Sequence, residues 1–143
     1  MTLTLEQASV IVDAALDEGR RGGFEPLCVV VLDAGGHVLA LKRSERASIS
    51  RPEIATAKAA GCLGMGFGGR EIARRAQAVP SFIAALNGIF PKGILPVPGG
   101  VLIRGDDGAL LGAVGISGDT SDNDELCAVA GIAAAGLKAD TGA

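Results

Sequence analysis

The chain has 143 residues, the size of one domain, and leaves no room for a second independent core. Hydrophobic residues make up 48% and charged residues 20%, enough apolar surface for a buried core and far from the composition of a disordered or fibrous chain. Trp and Tyr are absent, Phe numbers four and the net charge is −3, so neither base-stacking platforms nor the cationic excess required by nucleic acid or an anionic membrane is present, and neither partner is expected.

Thr4-x-x-Gln7 is a capping-box pattern, and Leu5, Ala8, Val12, Ala15 and Leu16 repeat at helical spacing until Gly22-Gly23. An amphipathic helix is predicted there. Leu27 to Leu32 is an apolar, β-branched run, Asp33-Ala34-Gly35-Gly36 supplies turn chemistry and Val38 to Leu41 is apolar again, which predicts a hairpin. The first strand does not alternate, so both of its faces must be covered, by helices or by another subunit. A second capping box, Ser50-x-x-Glu53, with Ile49 and Ile54 placed for a hydrophobic staple, predicts a helix from about Arg51 that runs past Lys58 until glycines accumulate from Gly61. Arg70 to Ala78 and Ser81 to Asn87 read as two short helices broken at Pro80, followed by an irregular connection through Pro91, Pro96 and Pro98. A second hairpin spans Gly100 to Arg104 and Ala109 to Ser117 about a turn at Gly105-Asp106-Asp107-Gly108. A last helix is predicted from about Ser121, whose side chain can cap it, to Lys138, with Asp122, Asp124 and Glu125 at its positive end. Strands that come as adjacent antiparallel pairs between helices give an α+β fold, an antiparallel sheet with helices on its faces.

Charge is unevenly distributed. Residues 1–41 carry six acids and two bases, 42–104 three acids and ten bases, and 105–143 seven acids and one base. The basic middle suits either an anionic small molecule or the acidic ends of a neighbouring subunit. Cys28, Cys62 and Cys127 are widely spaced, without a C-x-x-C pair, and the single histidine, His37, has no local partners for a metal site, so no metal centre is expected. The N-terminus lacks the pattern of a signal peptide and no apolar run is long enough to span a bilayer, which makes a reducing cytoplasm the expected location.

Gly64-Met65-Gly66-Phe67-Gly68-Gly69 matches G-x-G-x-x-G, but a helix precedes it instead of a strand, so a helix-to-helix connection explains it better than a dinucleotide site. Gly88-Ile89-Phe90-Pro91-Lys92-Gly93 is no Walker loop, and Gly115-Ile116-Ser117-Gly118 is no nucleophile elbow. Pro96-Val97-Pro98-Gly99-Gly100 has the stiffness and the bare backbone for an anion nest, and serves equally as an ordinary strand entry. Lys58 sits among small uncharged residues, either as a snorkelling surface side chain or as a desolvated cation aimed at an anion.

Val31-Leu32-Asp33-Ala34-Gly35-Gly36-His37, the helix start from Ser50 to Lys58, Leu95-Pro96-Val97-Pro98-Gly99-Gly100-Val101, and Gly112-Ala113-Val114-Gly115-Ile116-Ser117-Gly118 with Asp124 and Glu125 together resemble the GlcG/HbpS-like family, also called haem-degrading and similar to the C-terminal domain of PduO adenosyltransferases. The resemblance covers nearly the whole chain, residues 1–143, as a single domain. It implies a profilin-like fold, a five-stranded antiparallel sheet with helices on both faces, and compact homo-oligomers, often octamers. It also implies haem as a cofactor or ligand in some members and a link to organic-acid catabolism in others. His37 is the one imidazole available as an axial ligand, with cysteine or methionine as substitutes.

Two functions follow as expectations. In the first, the chain is a small-ligand-binding homo-oligomer that takes haem, a related tetrapyrrole or a small organic acid, with Asp33, His37, Arg43, Gly99 and Gly100 at the ligand. In the second, it is an enzyme acting on a small carboxylate or oxo acid, with Lys58 as electrophile or acid and Glu53 or Asp124 as base. Arg43, Lys58 and the Gly99-Gly100 backbone are expected to converge on one anion pocket closed by Asp33, Glu53 or Asp124.

Overall fold

Strand β1 (Cys28–Asp33) divides the interior in two. Its first five residues are all buried, with Val29 and Val31 in one apolar cluster and Cys28, Val30 and Leu32 in the other. In the computed structural model, which describes residues 1–143, β1 lies inside a five-stranded antiparallel sheet of order β2-β1-β4-β3-β5, formed with β2 (Val38–Arg43), β3 (Gly100–Arg104), β4 (Leu110–Ser117) and the short β5 (Lys138–Asp140). The two hairpins lie side by side through the β1–β4 pairing, Cys28 opposite Ser117 and Asp33 opposite Gly112.

The helices supply the two covers that the non-alternating strand requires. Helices α1 (Leu5–Gly22) and α5 (Ser121–Ala134) pack together on one face, where Ile11, Val12 and Ile132 meet Val29, Val31, Ile103 and Ile116. Helix α2 (Arg51–Met65) covers the other, with Ala55, Ala59 and Cys62 against Val30, Leu102 and Ala113. That second layer is completed by α3 (Gly69–Ala78), α4 (Pro80–Ala85), a 3-10 turn at Leu86–Gly88 and the irregular stretch beyond, which insert Ile72, Ile83 and Ile94. Each such fully buried aliphatic side chain contributes about 1.5–3 kcal/mol. Both faces of β1 are thus closed by its own chain, and no neighbouring subunit is needed to explain the strand.

The approach of α2 to the sheet depends on small residues in β4. A Cβ built on Gly115 would stand 1.9 Å from the Ala55 carbonyl oxygen, so no side chain fits at that position. Along α2 itself, Gly61 and Gly64 lie one turn apart, and their bare backbone seats Ile94 and Phe90. The glycine-rich stretch is therefore a groove for the following loop: α2 continues through Gly61 and Gly64 to Met65, Gly66 closes it at φ +84°, and Gly68 caps α3.

Several local expectations are corrected. The Thr4–Gln7 capping box is formed, but the Ser50–Glu53 box is not: Ser50 adopts ψ 0° where a cap needs extended backbone, its hydroxyl bonds nothing in the helix, and Ile49 is 89% exposed instead of stapled. The last helix is capped by Thr120, whose hydroxyl accepts from the Asn123 amide, and it stops at Ala134. Beyond it, β5 pairs with β3, and Thr141 lies against Gly68 at the start of α3. The charge blocks meet within the one chain, as Arg70 pairs with Asp122 and Glu125, Arg104 with Asp140, and Lys42 with Asp13.

Candidate functional site

Lys58 and Asp124 meet in the interior. Lys58, 4% exposed on α2, donates from Nζ to the Ile116 carbonyl at 2.9 Å and to Asp124 Oδ2 at 3.1 Å, and Asp124, 1% exposed on α5, accepts the Asp119 amide on Oδ1 at 3.1 Å. The pair passes the end of β4 to join helices on opposite faces of the sheet. Gly99, at φ +112°, makes room for the ammonium, since a Cβ there would stand 2.8 Å from Nζ; a Cβ on Gly100 would collide with the Lys58 carbonyl oxygen. Burial pushes the Asp124 carboxyl above its ordinary range, outweighing the attraction of Lys58 and the Asp119 hydrogen bond.

The structure therefore gathers Lys58, Asp124, Gly99 and Gly100, and places the other expected residues elsewhere. The Arg43 guanidinium is spent on the carbonyls of Ser44, Glu45 and Ala47, where it braces the loop leading to α2. Glu53 is exposed on α2. Asp33 and His37 lie at the far end of β1, about 17 Å from the Cys28–Arg43 end at the usual rise of a strand. None of the five principal surface clefts is lined by Lys58 or Asp124.

At the Asp33 end the geometry is open. Asp33 Oδ1 accepts the amides of Gly35 at 2.9 Å and His37 at 3.0 Å, which fixes the β1–β2 turn. The His37 amide above all, with that of Gly35, holds the Asp33 carboxyl below its ordinary range. His37 Nδ1 stands 3.3 Å from the same oxygen while its side chain is 80% exposed, so the ring has one nitrogen towards a carboxylate and the other towards solvent. Beside this turn lies a cleft of about 330 Å³ between Gly35-Gly36, the Ala60–Gly64 segment of α2 and the Phe90-Pro91-Lys92 turn. Its walls are mainly apolar, and Phe90 rests on Gly64.

The thiols do not join this site. Cys28, Cys62 and Cys127 are fully buried, and burial pushes the first up to about 11 and the other two up to about 12, which keeps them as protonated packing groups. Met65 packs against the core beneath α2, and Met1 is exposed. No group of three or more His, Cys, Asp or Glu side chains is arranged to hold a metal ion.

The family described as haem degrading protein, HbpS-like, matches residues 3–133. The chain belongs to the HbpS-like family. Among solved structures, HbpS itself is similar at 30% identity and TM-score 0.80 over 93% of this chain and 89% of that one. The ORFY protein of Klebsiella pneumoniae is similar at 26% identity and TM-score 0.84, covering 95% of this chain and 92% of its own. A PduOC:heme complex shares the fold at TM-score 0.85 and 24% identity, with both chains covered completely. No curated protein matches the chain. The α+β architecture read from the order of its elements is thus the HbpS-like fold, and no helix in it is long and apolar enough to cross a membrane.

The apolar cleft and Lys92 were missed by sequence reasoning. The available signal was a lysine set between Pro91 and Gly93, a stiff turn that presents its side chain, but nothing local indicated which helix the turn would face.

Proposed function

We propose that this HbpS-like chain binds haem beside the β1–β2 turn, with His37 supplying the imidazole. The observation that carries the reading is the placement of the one imidazole in the chain: His37 directly follows Gly35-Gly36, which line the apolar cleft, and, without lining the cleft itself, it holds Nδ1 3.3 Å from Asp33 with its side chain 80% exposed. A carboxylate on one ring nitrogen selects the tautomer that leaves the other free to bind iron, and raises its donor strength. Haem, when bound, supplies a redox-active iron. The chain's part is to orient the imidazole through Asp33 and to cover one edge of the macrocycle with Phe90, Leu63 and Ala60. The cleft lies at the low end of ligand-pocket sizes, so the complex is an exposed one.

Spectrophotometric titration with hemin tests this. Saturation of the Soret change at a fixed ratio of haem to chain is expected, whereas a featureless, non-saturating increase contradicts the reading. The carboxylate-enzyme alternative gains no support from the closed Lys58–Asp124 pair. Assembly into a homo-oligomer belongs to the same proposal: Val79, Phe82 and Ile89 are exposed on and beside α4, and sedimentation at micromolar concentration is expected to give a mass above that of one chain.

A further inference from the structure

We infer that Lys92 is the carboxylate anchor of the cleft, so that the ligand taken there is amphipathic, with a flat apolar body against Phe90 and a carboxylate on the Lys92 ammonium. The inference deepens the haem reading and rests on it for the identity of the apolar body. Lys92 is the one charged residue lining the cleft. It has no acidic partner within ion-pair distance, and its ammonium reaches across to the Gly36 carbonyl oxygen. The ammonium is held only by a neutral carbonyl at the mouth of an apolar cleft, and a carboxylate in its place adds the attraction of an opposite full charge, so it displaces that carbonyl as acceptor.

The backbone presents Lys92 for this exchange. Phe90 is seated on Gly64, the Gly93 amide donates to the Phe90 carbonyl at 3.0 Å, and the Asn87 side chain accepts the Ile94 amide at 2.9 Å, so the turn is tied down on both sides of the lysine. Glu53 lies on the opposite side of Lys92, in a shallow depression with Pro52, Thr56 and Pro91. Its charge repels an incoming carboxylate from that side and leaves the Gly36 side as the approach. The Gly36 carbonyl belongs to the turn that precedes His37, so carboxylate capture and imidazole binding act on one short segment.

The test compares hemin with hemin dimethyl ester, and 2-naphthoate with the neutral 2-naphthalenemethanol, on the wild type, Lys92→Met, Lys92→Arg and Glu53→Gln. Lys92 is exposed, and an unchanged melting curve for Lys92→Met confirms that the fold is retained. Affinity for hemin is expected to fall about tenfold in Lys92→Met, to return in Lys92→Arg and to rise in Glu53→Gln, while the ester binds all four proteins alike. Equal binding of hemin and its ester by the wild type overturns the anchor and leaves the haem reading standing. If hemin fails to bind but naphthoate binds in a Lys92-dependent manner, the haem reading fails and the anchor stands. If neither carboxylate binds better than its neutral counterpart, the anchor is overturned whatever becomes of haem.

Discussion

Lys58 and Asp124 form a buried ion pair, 3.1 Å apart, that ties helix α2 on one face of the sheet to helix α5 on the other. Both charges are removed from water, so each depends on the other. Lys58→Met leaves a carboxylate buried without its cation and is expected to cost about 3–5 kcal/mol, read as a shift in the midpoint of urea unfolding. The double variant Lys58→Met with Asp124→Leu removes both charges and is expected to recover most of that loss. A Lys58→Met protein as stable as the wild type contradicts the structural role given to the pair.

The same burial sets a pH dependence. Asp124 titrates above its ordinary range because burial outweighs Lys58, so between the unfolded and the raised folded value the native state keeps a proton that the unfolded chain has released. Its contribution to stability therefore falls as pH rises through that window and is level above it. Asp33 and Asp119 have the opposite sign: the backbone amides of His37 and Glu25 respectively hold them low, so their contributions are present above the unfolded carboxylate value and are lost as pH falls through the folded ones. Carboxyl NMR titration is expected to place Asp124 above, and Asp33 and Asp119 below, the same residues in the unfolded chain.

Gly64 controls a wall of the cleft. A methyl at this position would stand 2.8 Å from the Phe90 ring, whose edge can swing away. Alanine also favours the helix by up to about 1 kcal/mol, so Gly64→Ala is expected to leave the melting temperature nearly unchanged while weakening hemin binding. A variant with unaltered hemin affinity would show that Phe90 does not touch the ligand.

All three thiols should resist modification in the native protein. Their burial and raised pKa values predict no reaction with an aromatic disulfide reagent under folding conditions and three equivalents of reaction per chain in denaturant. Fast labelling of any one of them in the folded state would contradict the packing described.

Much of the fold was legible because its signals are local. The Asp33–Gly36 and Gly105–Gly108 turns fix the hairpins, and the unbroken apolar run of β1 requires two covers. The second capping box failed because the Ser50 backbone is set by the preceding Ser48–Arg51 turn, a feature that the S-x-x-E pattern does not encode. Strand β5 was not legible, since three exposed or half-exposed residues after a helix carry no alternation and are fixed only by pairing with Leu102–Arg104. At the site, the small neighbours of Lys58 left both a snorkelling side chain and a desolvated cation open, and they could not show that the side chain is buried against a partner 66 residues away that satisfies it internally. Arg43 and Lys58 do not converge because the Arg43 guanidinium closes on carbonyls one to four residues from it, a short-range choice that competes with any distant anion.

The claim on which the functional account turns is that His37 is the ligand of haem iron. Hemin titration of His37→Ala, with and without added imidazole, tests it most directly. The account predicts that the variant loses the imidazole-type Soret band of the wild type and regains it when free imidazole is supplied. An unchanged Soret band in His37→Ala without imidazole would contradict it.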